Sequence, residues 1–239
     1  MVQVSSNMFA AATCWLLASS GTLSVFGSPL AGNGGALGPR SPAPAGLAES
    51  LPEGFKVSPI YWKGVLEEGK PEFELSGYSF DEIEAEAKAI NPEYSIFTKD
   101  GKAAPGPAYN ESSSQAGLSA RQTFTTNCNN PSTWSPAPNW DAVWDGVHYL
   151  QGITGNCRAD PGPGVCTRVS CSWNSGIFYC NDNSAEHWEP CRWIGDVAGG
   201  IVNKCNWFQV IPFFGTRQVV HGQAFDRRNW NTIVAYSSC

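Results

Sequence analysis

The sequence predicts an α+β fold: a disulfide-stapled two-layer α/β sandwich, with an antiparallel sheet and two helices on one of its faces. Three observations carry that expectation. Eight of the nine cysteines fall in the last 112 of the 239 residues: Cys128, Cys157, Cys166, Cys171, Cys180, Cys191, Cys205 and Cys239. The same stretch holds two runs with helical spacing of apolar residues and several with strand alternation. Glycines (25) and prolines (17) are frequent and only 15% of residues are charged, a loop-rich balance that suits a cross-linked secreted chain.

From the N-terminus, residues 8–18 (MFAAATCWLLA) form an apolar run of signal-peptide length. It is short of the roughly 20 residues that span a bilayer. Residues 1–27 therefore read as a signal peptide, although Met1–Asn7 carries no Lys or Arg. Cleavage after Ser20 or Gly27 would remove Cys14 and leave an even eight cysteines. No other stretch reaches 18 consecutive apolar residues, so no membrane span is expected. Residues 28–50, rich in Gly, Pro and Ala, read as a disordered linker.

Residues 55–66 and 71–80 read as two strands joined by a turn at Gly69. Phe73 and Leu75 alternate with Glu72 and Glu74, as on a half-buried strand. Residues 80–90 read as a helix. Ser79 can accept from the Glu82 backbone N–H while Glu82 reaches back, a capping box. Asn91-Pro92 ends it. This cysteine-free ββα unit, 51–97, can bury little surface alone, so it reads as a leader that docks on the C-terminal domain or as a pro-segment. Residues 28–121 are expected to be dispensable for folding. Residues 98–127 read as a flexible linker, with a glycosylation sequon at Asn110 and a possible processing site at Arg121.

Residues 128–239 read as the cysteine-rich α/β domain. Asn139 can cap a helix over 140–151 whose apolar face is Trp140, Val143, Trp144, Val147 and Leu150, ended by Gly152 and Gly155. In 165–173, Val165, Thr167, Val169, Cys171 and Trp173 alternate with Cys166, Arg168, Ser170 and Ser172, which predicts a strand. Asn174-Ser175-Gly176 reads as a turn into a second strand, 177–180. A second helix is expected over 188–204, with Pro190 in its first turn. Its inner face is Ile194, Val197, Ala198, Ile201 and Cys205, and Gly195 and Gly199 let it lie close to a neighbour. Residues 216–225 and 230–236 read as a closing hairpin across Asp226–Asn229. The order is α-β-β-α-β-β, and two helices on one sheet face is the economical packing.

Eight cysteines in an oxidising compartment imply up to four disulfides, with 105 pairings open. Cys166, Cys171 and Cys180 on strands could join Cys191 and Cys205 on the helix. The nearest approach to a zinc set, Cys166-x4-Cys171 with His187-x3-Cys191, lacks a C-x2-C pair, so no metal or cofactor is expected. Eight of the ten tryptophans lie in this domain, and core or loop packing accounts for most. The charge-free stretch WFQVIPFF is the exception to watch. If exposed, Trp207, Phe208, Phe213 and Phe214 would form a binding patch.

The net charge of −6 speaks against a generic nucleic-acid partner. It is uneven: residues 1–127 carry 8 basic and 13 acidic groups, and residues 128–239 carry 7 and 8. No G-x-S-x-G, P-loop, H-E-x-x-H or dinucleotide fingerprint is present. His148 beside the apolar helix face reads as a packed histidine. His187 and His221 could serve a ribonuclease with Glu186 or Glu189, but nothing in the spacing selects a pair. Helix-cap and turn roles explain most acids of the domain. No catalytic residue is assigned.

Cys157, then Pro161 through Asn174 with Cys166 and Cys171, then Ile177 to Asn183 with Cys180, form a Cys-strand-Cys-turn-strand-Cys segment. With Gly222-Gln223-Ala224-Phe225 and Asn229 to Val234, it resembles small cysteine-rich secreted proteins of filamentous fungi, many of them effector candidates. The element order is also similar to fungal killer toxins and necrosis-inducing secreted effectors, which are disulfide-stapled α/β sandwiches. The resemblance covers about residues 128–239. It implies an extracellular effector or toxin-like protein that binds a protein, glycan or membrane component of a host, competitor or cell wall; separately, a monomer is expected. It implies no catalytic residues. A secreted glycosidase or ribonuclease and a structural wall protein are the alternatives.

Overall fold

A computed structural model of the chain describes residues 43–44, 46–47, 51–98, 124–128 and 136–239. The expected signal segment, Asn110, Arg121 and most of both expected linkers lie outside the described residues. All described residues belong to one compact unit, Leu37–Cys239. In chain order the elements are β1 (Lys56–Val57), β2 (Ile60–Gly64), β3 (Phe73–Gly77), α1 (Phe80–Ile90), β4 (Thr125–Asn127), α2 (Trp140–Gln151), β5 (Asn156–Arg158), β6 (Val165–Ser172) and β7 (Ser175–Asn181). They continue as β8 (Glu189–Pro190), α3 (Cys191–Lys204), β9 (Asn206–Ile211), β10 (Gly215–Val220), β11 (Gly222–Asp226) and β12 (Trp230–Tyr236).

The fold is α+β and disulfide-stapled, as expected. A six-stranded sheet runs β1-β6-β7-β12-β11-β4, antiparallel except for the short parallel pair β1–β6. A second sheet runs β3-β2-β5-β8, and β9–β10 form a separate hairpin. Val143 and Val147 of α2 and Ile194 and Ile201 of α3 pack with Ile177, Tyr179 and Val234 of the large sheet. Strand residues alternate between its faces. Phe178, Cys180, Ile233 and Ala235 therefore join a smaller core on the other side, with Leu47 and Leu51. Leu47 was expected in a disordered linker. It is buried instead, because it helps close that second face.

The expected boundary at 98–127 does not divide the described residues into two domains. β2 pairs with β3 on one side and with β5 on the other, through Tyr61↔Arg158 and Trp62↔Cys157. Trp62 is fully buried and its Nε1 donates to the Thr154 carbonyl at 2.6 Å. Arg158 carries its guanidinium 3.7 Å over the Tyr61 ring and donates to Glu74 at 2.7 Å. The ββα segment has too little apolar surface for a core of its own. It obtains one by lending strands to sheets completed downstream. Within it, α1 starts as expected: Ser79 accepts from the Glu82 N–H at 3.2 Å and Glu82 accepts from the Tyr78 N–H at 2.8 Å.

Four local expectations are corrected. The β6–β7 turn is Trp173-Asn174, not Asn174-Ser175-Gly176. Both residues have positive φ (48° and 56°), as a two-residue type I′ hairpin requires. A bulge between Arg168 and Ser170 breaks the alternation of 165–173, so Ser170 pairs with Ile177 and Cys171 with Gly176. α3 begins at Cys191, after Pro190, because Glu189–Pro190 first pairs with β5. Residues 216–225 are two strands, not one. β10 pairs with β9, which was not expected as a strand, and the chain crosses to the large sheet at Gly222. A Cβ at Gly222 would lie 2.5 Å from Ile201 of α3, so the crossing requires glycine.

All eight expected cysteines are paired: Cys128–Cys205, Cys157–Cys191, Cys166–Cys180 and Cys171–Cys239. One bond reaches α3 at Cys191 and another reaches Cys205, the residue that caps its C-terminal end. Contrary to expectation, Cys166–Cys180 stays within the sheet, since the two residues face each other across β6 and β7. Cys171 ties β6 to Cys239, beyond β12. Gly195 behaves as expected: its Cα lets α3 approach α2, and a Cβ there would lie 3.0 Å from Leu150 Cβ.

Candidate binding hairpin

The β9–β10 hairpin is firmly anchored at its base. Val219 and Val220 are fully buried, the Val220 N–H donates to the Pro138 carbonyl at 3.1 Å, and Asn206 Nδ2 donates to Val202 of α3 at 2.8 Å. Trp207 packs against His221 with ring centroids 4.6 Å apart and the rings tilted by 56°. Arg217 donates twice to Gln209 Oε1, at 3.1 and 3.0 Å, which ties the two strands across one face.

The other face and the tip are apolar and open. Phe208 pairs with Gln218 and Val210 with Thr216, so Phe208 and Val210 share a face. They are 69% and 73% exposed. At the turn the Phe214 N–H donates to the Ile211 carbonyl at 3.0 Å, with Pro212 first and Phe213 second between them. Phe213 has φ 68° and is fully exposed, and Phe214 is 85% exposed. Proline suits the first position, but positive φ at the second favours Gly or Asn. A bulky residue there is a backbone outlier. With no packing around the Phe213 ring, the fold gains nothing visible in return. From 205 to 216 there is no charged residue.

Three of the four sequence-predicted patch residues, Phe208, Phe213 and Phe214, are thus brought together. Trp207 lies on the opposite face, against His221. Val210 was missed, because a single valine carries no signal until the strand register is known. Trp173 was missed too: the turn places it 86% exposed with φ 48°.

The histidines and acids weighed for catalysis go elsewhere. His148, expected to be packed, is exposed and stacks on Trp144 at 5.5 Å. Glu186 pairs with Arg158 at 3.3 Å. His187 Nε2 lies 3.0 Å from Glu189 Oε1, and Arg228 Nη1 lies 2.6 Å from the same oxygen. Glu189 is 1% exposed and this oxygen already faces Arg228 and the His187 ring, so a substrate would have to displace one of them. Arg228 also grips Asp226 through Nε at 2.8 Å. Burial pushes the Asp226 carboxyl up, but the Arg228 hydrogen bonds and charge and the nearby His187 outweigh it, and the net shift is downward. Burial and the Glu189 charge raise the Tyr179 phenol. Its hydroxyl donates to the His187 carbonyl at 2.9 Å. The network clamps β8 to the β11–β12 turn.

Among the described residues no group of three or more His, Cys, Asp or Glu side chains could hold a metal ion. No described helix is long and apolar enough to cross a membrane. No family model, curated protein or solved structure matches this chain.

Proposed function

We propose that this protein is a secreted effector or toxin-like protein that acts outside the cell by binding, and that the β9–β10 hairpin is its contact surface. The observation that supports this most directly is Phe213: a fully exposed aromatic ring on a positive-φ backbone, next to exposed Phe214, Phe208 and Val210. Strain kept without packing benefit is a pointer to function. Four disulfides suit an oxidising compartment. The target would be a protein, glycan or membrane component of a host, a competitor or a cell wall.

The test uses the full chain from an oxidising host, fluorescently labelled and applied to intact cells and isolated walls. Burying one Phe is worth about 2 kcal/mol, so Phe213→Ser with Phe214→Ser should weaken surface binding by at least about 30-fold with an unchanged circular dichroism spectrum. Unchanged binding by the double variant removes the hairpin from the reading. Turnover of wall polysaccharide or RNA by the purified chain would favour a hydrolase instead.

A further inference from the structure

A second site lies away from the hairpin, along the part of β6 that forms a sheet edge among the described residues. β1 pairs with β6 only through Lys56↔Val165 and Val57↔Cys166. Among the described residues, β6 has no strand partner on that side from Arg168 onward. The bulge between Arg168 and Ser170 falls in this stretch. Bulges are common at sheet edges and beside binding sites, where they re-aim side chains. Directly against the edge is a cleft of about 440 Å³, built by β6, by the N-terminal end of α1 and by α2.

The lining of the cleft is mixed, with two carboxylates to one guanidinium. Asp81 of α1 and Asp145 of α2 both line it and both are exposed. Its one cationic lining residue, Arg168, already donates to Ser237 Oγ at 3.0 Å and to the Ser238 carbonyl at 2.7 Å. Tyr78 and Tyr149 supply aromatic wall. Burial raises the Tyr149 phenol, and the Asp81 and Glu84 charges raise it further, which is a sign of negative potential at this wall. Gly146 holds the α2 wall close to the strand, since a Cβ there would lie 2.6 Å from Ser170 Oγ.

The geometry points to a binding site for an extended basic peptide, whose backbone adds to the β6 edge at 168–172 and whose Lys or Arg side chain enters the cleft between Asp81 and Asp145. Main-chain pairing supplies affinity in this mode and the side-chain pocket supplies selectivity. Carboxylates with aromatic walls are a natural receptor for a guanidinium. The site is independent of the hairpin, so each reading can fail alone.

The test is a calorimetric titration of the full chain with the peptide acetyl-Thr-Val-Arg-Val-Thr-amide. Two comparison peptides have Glu in place of Arg, or N-methylation at alternate amides. Saturable binding of the Arg peptide, lost in both comparison peptides, is expected. Asp81→Asn and Asp145→Asn should each weaken it by roughly fivefold, the upper range for a partly exposed ion pair. Phe213→Ser should leave it unchanged. The proposal is overturned if no binding appears up to about 1 mM peptide, if the Glu peptide binds equally, or if neither Asp variant weakens binding. It is overturned as well if a neutral oligosaccharide binds in place of the peptide and loses affinity in the Asp variants, since the cleft would then serve carbohydrate.

Discussion

Replacing Trp62 by alanine tests most directly whether residues 51–98 are part of the folded core. The ring is fully buried between β2 and the chain leading into β5. Two glycines make room for it: a Cβ at Gly64 would collide with the ring, and one at Gly155 would lie 2.7 Å from its Nε1. Removing a buried Trp costs about 3–5 kcal/mol through lost transfer energy and the cavity left behind. The Thr154 carbonyl also loses its 2.6 Å donor. That adds about 1 kcal/mol, for a total of roughly 4–6 kcal/mol. This is a large share of the 5–15 kcal/mol typical of a domain. The assay is guanidinium unfolding of the oxidised protein, followed by a fluorescent label within residues 51–98 and by a second label on the cysteine-rich portion. Both probes should shift together to lower denaturant. If the change is under 1 kcal/mol, or only the probe on 51–98 moves, the segment is a detachable leader and the shared core is refuted.

Other outcomes are expected on the same grounds. Gly195→Ala should destabilise by about 1–3 kcal/mol despite alanine's helix propensity, because the new Cβ meets Leu150 Cβ and the Val147 carbonyl at 3.0 Å; a raised thermal midpoint would refute the close helix contact. Phe213→Asn should raise stability by up to about 1 kcal/mol while weakening target binding, since Asn tolerates the positive φ; a lower midpoint would mean the ring packs after all. Asp226 has a carboxyl held below its usual 3.8, so it stabilises the fold above that value and the contribution is lost as pH falls through the depressed value. Acid unfolding of Asp226→Asn should therefore depend less on pH below about 4 than that of the parent.

Much of the secondary structure was legible from local chemistry. Asn139 accepts from the Ala142 N–H at 3.1 Å and starts α2 where its side chain predicted. Ser79 and Glu82 do the same for α1. Strand alternation located β3 and β6, and turn signals located β7 and β12. The failures came from non-local causes. One bulge at Arg168–Ser170 moved Cys171 to the face opposite the expected one. The turn moved by one residue because Trp173 and Asn174 take the positive φ values, although a Trp gives no such signal. The candidate patch was visible as an uncharged aromatic run, but which ring faces out depends on a register that only pairing with Gly215–Val220 sets.

Composition, cysteine clustering and capping residues, each a local or summed property, determined the α+β class and the number of disulfides available. Tertiary structure decided which cysteines meet, because 105 pairings satisfy the same spacing. It also decided that residues 51–98 share sheets and a core with the cysteine-rich residues. Strand pairing is chosen between distant segments, and the edges of β5 and β6 bind β2 and β1 across an intervening stretch that carries no record of it.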